Sequence, residues 1–214
     1  AAIQTDGKPS EYFEILLHEV TDELTANDYN VLAPWLEETW NPTLDTVLLS
    51  DEMKIALDLY HAKINFLTAQ YQEAERLLNE ILRKSPANYR ACRGLGELYF
   101  AQQSYSLAED YFQQAFNDLH QESPQFGELS LALAKTYIAD QKYELARKKI
   151  EELNSFLNTG LKTSILYLKT KALFGMKAYS DANLLLDELV QGEPRNMSYQ
   201  IDRIVNHIAL HDYS

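Results

Sequence analysis

The chain has 214 residues, 46% hydrophobic and 24% charged, with a formal net charge of −13. That is enough apolar material for a sizeable core, while seven glycines and six prolines are too few for a fold built on many tight turns. The acidic balance disfavours nucleic acid, which needs clustered Lys and Arg, and no apolar run approaches the roughly 18 residues of a membrane span.

Cys92 is the only cysteine, which excludes an internal disulfide and any multi-cysteine metal site. A lone thiol suits a reducing compartment and points to the cytoplasm. Ala1 to Ser10 lack the basic start and apolar stretch of a secretory signal. There is no initiating Met, so a processed, periplasmic form is compatible with the same sequence.

Residues 1–54 hold 12 acids against Lys8 and Lys54, a net −10, which leaves only −3 for residues 55–214. Glu11 to Thr25 and Asp28 to Trp40 read as two amphipathic helices with a break at Asn27/Asp28. Tyr29 lies 42 residues before Tyr71 and lacks an alanine three residues later. Residues 1–54 are therefore expected to be an acidic capping hairpin or a degenerate repeat, with Trp35 and Trp40 packed on the first regular repeat.

Beyond that point Tyr-x-x-Ala recurs as Tyr71/Ala74, Tyr105/Ala108, Tyr143/Ala146 and Tyr179/Ala182, with tyrosine spacings of 34, 38 and 36. Each tyrosine stands between two stretches of helical apolar spacing. The predicted pairs are 55–69 with 71–84, 89–102 with 105–119, 125–140 with 143–157, and 161–176 with 179–191. The longer interval places about four extra residues in His120 to Gln125. Pro86 and Pro194 close the first and last pairs, and a final helix is predicted at about 196–211. Another 34 residues lead to Tyr213, so residues 195–214 read as a capping helix or the start of a further repeat, and the chain as a segment of a longer protein.

The clearest copy is Cys92-x2-Leu95-Gly96-x2-Tyr99, then Ala108-x3-Phe112 and Ala115. It resembles the tetratricopeptide repeat pattern, with cysteine in place of the tryptophan. Looser copies are Leu133-Ala134-x2-Tyr137 before Ala146-x3-Ile150, and Ala182-x3-Leu186. The resemblance covers residues 55–194 as four repeats. It implies an all-α fold, a right-handed α-solenoid of antiparallel helix pairs with about 11 helices in all. Ala62, Gly96 and Ala134 would sit where paired helices approach closely.

In this family the first helix of each pair lines the concave surface. The tyrosine register then assigns that lining to Leu59, Lys63 and Phe66; to Arg90, Arg93, Glu97 and Phe100; to Glu128, Leu131, Lys135 and Ile138; and to Ser164, Tyr167, Lys171 and Phe174. Five of these are basic and two acidic. Lys63, Lys135 and Lys171 each precede a marker tyrosine by eight residues, and Glu97 interrupts the row. The partner-binding residues expected on this basis are Lys63, Phe66, Arg90, Arg93, Phe100, Leu131, Lys135, Tyr167, Lys171 and Phe174, suited to an acidic protein or peptide segment with apolar anchors. The carboxylate clamp of chaperone-binding repeats requires asparagines on the lining helices; Leu59, Gly94 and Ala132 stand at such positions instead.

Nothing in the sequence supports an enzyme. His207 and His211 are four apart, but Ile208, Ala209 and Leu210 between them give no HExxH pattern. Cys92 occupies a packing position, and no Walker, Rossmann or serine-elbow motif occurs. No cofactor, metal, nucleic acid or inserted membrane segment is expected. Two functions remain: a protein-interaction scaffold, or a structural, assembly or dimerisation module of a larger signalling or secretion protein, with a homodimer as one outcome.

Overall fold

The computed structural model describes residues 51–212 apart from 117, 118, 120–122, 158 and 159. The helices expected at Glu11 to Thr25 and Asp28 to Trp40 lie outside the described residues. Among those described there are nine α-helices rather than about eleven, and no strand. They are α1 Asp51–Leu67, α2 Tyr71–Lys84, α3 Tyr89–Ala101, α4 Tyr105–Ala115, α5 Pro124–Ala139, α6 Tyr143–Glu151, α7 Lys162–Gly175, α8 Tyr179–Gly192 and α9 Met197–Asp212.

Every second helix begins on its marker tyrosine, and the alanine three residues on is fully buried in all four: Ala74, Ala108, Ala146 and Ala182 are each 0% exposed. Three-residue turns precede these helices, and turns that short fold two helices back on each other. All four turns have one construction. Ala69, Gln103, Gln141 and Lys177, two residues before the tyrosines, have φ of 60, 60, 59 and 63°. Their N–H groups donate to Phe66, Phe100, Ile138 and Phe174 carbonyls. The next N–H donates one residue further back, to Asn65, Tyr99, Tyr137 and Leu173. That bond pair is the Schellman cap, here made four times without glycine.

The starts of α3, α5 and α9 are capped by side chains. Asn88 Oδ1 accepts from Ala91 N–H at 3.0 Å, Ser123 Oγ from Phe126 N–H at 3.2 Å, and Asn196 Oδ1 from Ser198 N–H at 3.1 Å. These bonds satisfy amide donors that a first helical turn leaves without partners. Pro86-Ala87-Asn88 and Pro194-Arg195-Asn196 thus use one stop-and-restart signal.

Three helix boundaries differ from the predicted ones by about four residues or more, and the rest lie within about two. α1 begins at Asp51 instead of 55, with Asp51 and Glu52 in its first turn, where acids favour the helix dipole. α4 stops at Ala115, short of 119. α6 stops at Glu151, short of 157, and Asn154–Phe156 forms a 3-10 turn. Ile150, Leu153 and Phe156, 2, 0 and 6% exposed, are spaced by three. A 3-10 turn keeps that spacing on one side, whereas an α-helix would rotate it away.

The chain divides into two compact units, residues up to Leu98 and from Tyr99 onward. In the first, α1 packs on α2, burying Ala56, Leu59, Tyr60 and Ala62 together with Ala74, Leu77, Leu78 and Ile81. In the second, α4 to α9 each pack on the next helix, and α5 also touches α7, the first helix of the following pair. Consecutive pairs stacked in this way are the packing of a tetratricopeptide-like α-solenoid. Phe112, Leu129, Leu133, Ile165 and Leu186 fill that core at 2% exposure or less, each contributing about 1.5–3 kcal/mol by burial.

Candidate partner-binding site

In the first unit, α1 and α3 bring six of the residues assigned by register to one cleft of about 60 Å³, lined by Leu59, Lys63, Phe66, Arg90, Arg93 and Glu97 among others. Ala62, Leu78 and Gly94 complete it, and a Cβ at Gly94 would lie 3.0 Å from Leu78. Leu59, assigned by register to the solvent-facing lining, is only 6% exposed and belongs to the floor. Its neighbour in space is the apolar α2 face, so the hydrophobic effect draws it inward.

The charges at the cleft are coupled. Lys63 Nζ donates to Glu97 Oε2 at 3.2 Å, and Arg93 Nε donates to Glu97 Oε1 at 2.9 Å. Lys63 also lies 5.6 Å from the Phe66 ring centroid. Arg90 Nε donates to the Tyr89 hydroxyl at 3.1 Å. Lys63, Arg90, Arg93 and Glu97 thus stand together over an apolar floor.

In the second unit the assigned residues fall into two groups. Lys135 is exposed, 5.0 Å over the Phe100 ring, with no carboxylate within ion-pair distance among the described residues. Leu131 and Ile138 flank it along α5, half-buried. Lys171 is engaged: it donates to Asp202 at 2.8 Å and lies 5.2 Å from the Tyr167 ring. The Tyr167 hydroxyl donates to the other Asp202 oxygen at 2.9 Å, and its ring packs 5.0 Å from Tyr199. Burial works against the Lys171 ammonium, but the hydrogen bond and charge of Asp202 outweigh it and raise its pKa. Burial raises the Tyr167 hydroxyl as well.

The aromatic residues have a structural engagement that register alone does not reveal. Phe66, Phe100 and Phe174 each pack on the marker tyrosine across the Schellman turn, at 6.0, 5.7 and 5.3 Å from Tyr71, Tyr105 and Tyr179. All three remain part-exposed. Glu128 and Ser164, also assigned to the lining, are exposed.

Sequence reasoning missed Asp202 and Tyr199, which come from α9. It also read Glu97 as a gap, when it is the counter-ion of two cations. A carboxylate 34 residues beyond Lys63, one repeat away, was the available signal. His207 and His211 are both exposed on α9. Cys92 is 0% exposed, and burial raises its thiol pKa. No helix among the described residues is long and apolar enough to cross a membrane.

A family model described as tetratricopeptide repeat matches residues 68–118. No curated protein matches the chain. Tetratricopeptide repeats are typically non-catalytic modules whose partners are proteins. The matched segment runs from the first Schellman turn past the end of α4, and the same tyrosine register sets the later pairs; the described helices are of tetratricopeptide-repeat type, a repeat that generally serves as a scaffold for protein–protein interaction.

Proposed function

We propose that the first helices of the pairs hold an acidic partner segment with apolar anchors. The cleft between α1 and α3 carries this reading: Lys63, Arg90 and Arg93 line it beside Glu97, above a floor of Leu59, Ala62 and Leu78. Such a site takes a carboxylate at its rim and an apolar side chain at its base. Lys135 over Phe100 offers a second contact of the same kind in the other unit. Lys171 contributes less, because Asp202 already neutralises it. Within this reading the repeats are residues 55–194, and 195–214 cap the array or open a further repeat.

The test is fluorescence anisotropy with a labelled acidic peptide containing Phe and Leu, against its Lys-substituted counterpart. The acidic peptide should bind and weaken as salt rises. Arg93→Glu and Lys135→Glu should each weaken it about tenfold, equivalent to about 1.4 kcal/mol. Equal binding of both peptides, or affinity untouched by both reversals, sinks the reading.

A further inference from the structure

The last helix is covered on one side only. Tyr199 and Asn206 are buried at 8 and 0%, and Asn206 Nδ2 donates to the carbonyl of Tyr179, the first residue of α8, at 2.9 Å. The opposite side carries Met197, Ile201, Ile204, Val205 and Ile208, exposed by 65, 53, 58, 44 and 57%. A contiguous apolar stripe of this kind, left in water, marks a contact surface.

The pattern of the stripe selects its occupant. Met197, Ile201, Ile204 and Ile208 are spaced 4-3-4, the seam spacing of helices wound in pairs. Nine residues before each marker tyrosine the repeats place Ala62, Gly96, Ala134 and Thr170, all buried. Counting nine back from Tyr213 gives Ile204. Isoleucine, larger than alanine, glycine or threonine, holds a facing helix further off there, as a coiled-coil knob requires.

The spacing also reads the same in both directions about a point between Asp202 and Arg203. An antiparallel copy of α9 related by a two-fold axis therefore sets Met197 opposite Ile208 and Ile201 opposite Ile204, a closed, self-complementary contact. Charge does not oppose it. Ser198, Gln200 and Val205 flank the seam as uncharged side chains, and His207 is the fourth flanking residue. Asp202 is engaged with Tyr167 and Lys171, and Arg203 lies 3.6 Å from Asp187 of its own chain. A partner carrying −13 overall thus meets no like charge along the seam.

We propose that α9 is a homodimer interface, its occupant a second copy of α9 lying antiparallel with Met197, Ile201, Ile204 and Ile208 as the seam. A four-layer contact is smaller than the standard interface, so the dimer dissociates readily, with a Kd on the order of 10 µM.

Sedimentation velocity of the 214-residue chain from about 1 to about 300 µM brackets that value. The expected result is a concentration-dependent monomer–dimer equilibrium. Ile204→Asp and Ile201→Lys, both at positions more than half exposed, should stay monomeric at the highest concentration with unchanged helical circular dichroism. Mixing Ile201→Cys and Ile204→Cys chains under mild oxidation should yield mainly the mixed 201–204 disulfide. A monomer at every concentration overturns the proposal and assigns the stripe to a different chain or a further helix. A dimer that survives both charged variants overturns it too, and dominance of same-residue disulfides overturns the antiparallel arrangement.

Discussion

Lys63 and Glu97 hold the same place in successive repeats, each eight residues before a marker tyrosine, and they are paired at 3.2 Å. Arg93 binds the other oxygen of the same carboxylate at 2.9 Å. Under the proposed function, Glu97 occupies the position that a ligand's acidic side chain would take. Both members of the Lys63 pair are partly exposed, so the bond is worth no more than about 1 kcal/mol to the fold.

Removing that internal competitor should favour an acidic ligand. Glu97→Gln keeps the shape of the side chain and removes the charge that Lys63 and Arg93 share. Affinity for the acidic peptide should rise roughly fivefold at low salt, equivalent to about 1 kcal/mol. The melting temperature should fall by only a few degrees. Weaker peptide binding in Glu97→Gln would mean that Glu97 positions the cations rather than competing for them.

The starts of the second helices were legible to the residue, because tyrosine and alanine serve one packing job in all four copies. The ends of α4 and α6 were not. The α6 boundary depends on Ile150, Leu153 and Phe156 staying on the core side, which is a matter of packing rather than helical period. At the site, the row of Lys63, Lys135 and Lys171 was readable, but its electrostatics were not. Lys63 meets a carboxylate 34 residues on and Lys171 one 31 residues on, while Lys135 meets a ring, because side-chain reach rather than register decides each partner. The apolar stripe of α9 was visible only as helical spacing until Tyr199 and Asn206 showed which side was covered.

Gly175 and Tyr143 form a second relationship that can be measured. A Cβ added at Gly175 would run into the Tyr143 ring. Alanine at a helical position normally stabilises by up to about 1 kcal/mol over glycine, whereas overpacking costs about 1–3 kcal/mol. Gly175→Ala should therefore destabilise by about 1 kcal/mol net in urea denaturation. In a Tyr143→Ala background the same change should turn stabilising. A destabilisation of equal size in both backgrounds would show that the ring is not its cause.

Cys92 should behave as a packing residue. It is 0% exposed, and burial raises its pKa, so little thiolate forms at pH 8 while the chain is folded. On unfolding, the pKa returns to its ordinary value and the sulfur becomes accessible. Reaction with a disulfide reagent should be slower in the native protein by at least about 100-fold than in guanidinium, and its onset should track unfolding. Rapid labelling without denaturant would contradict a buried thiol.

The four Schellman turns predict where stability can be added. Gln103 and Gln141 are exposed and sit at φ of 60 and 59°, a region that costs an L-residue about 1–2 kcal/mol. Glycine removes that cost but gives the unfolded chain more freedom, which returns about 0.4–1 kcal/mol. Gln103→Gly and Gln141→Gly should thus each stabilise by about 0.5–1 kcal/mol, and the double variant should gain nearly the sum, as distant sites do. Gln141→Val should destabilise, since a β-branched side chain tolerates positive φ least. The comparison is read as urea midpoints with unchanged slope. If both glycine variants lost stability while Gln141→Val were neutral, the left-handed geometry of these turns would be wrong.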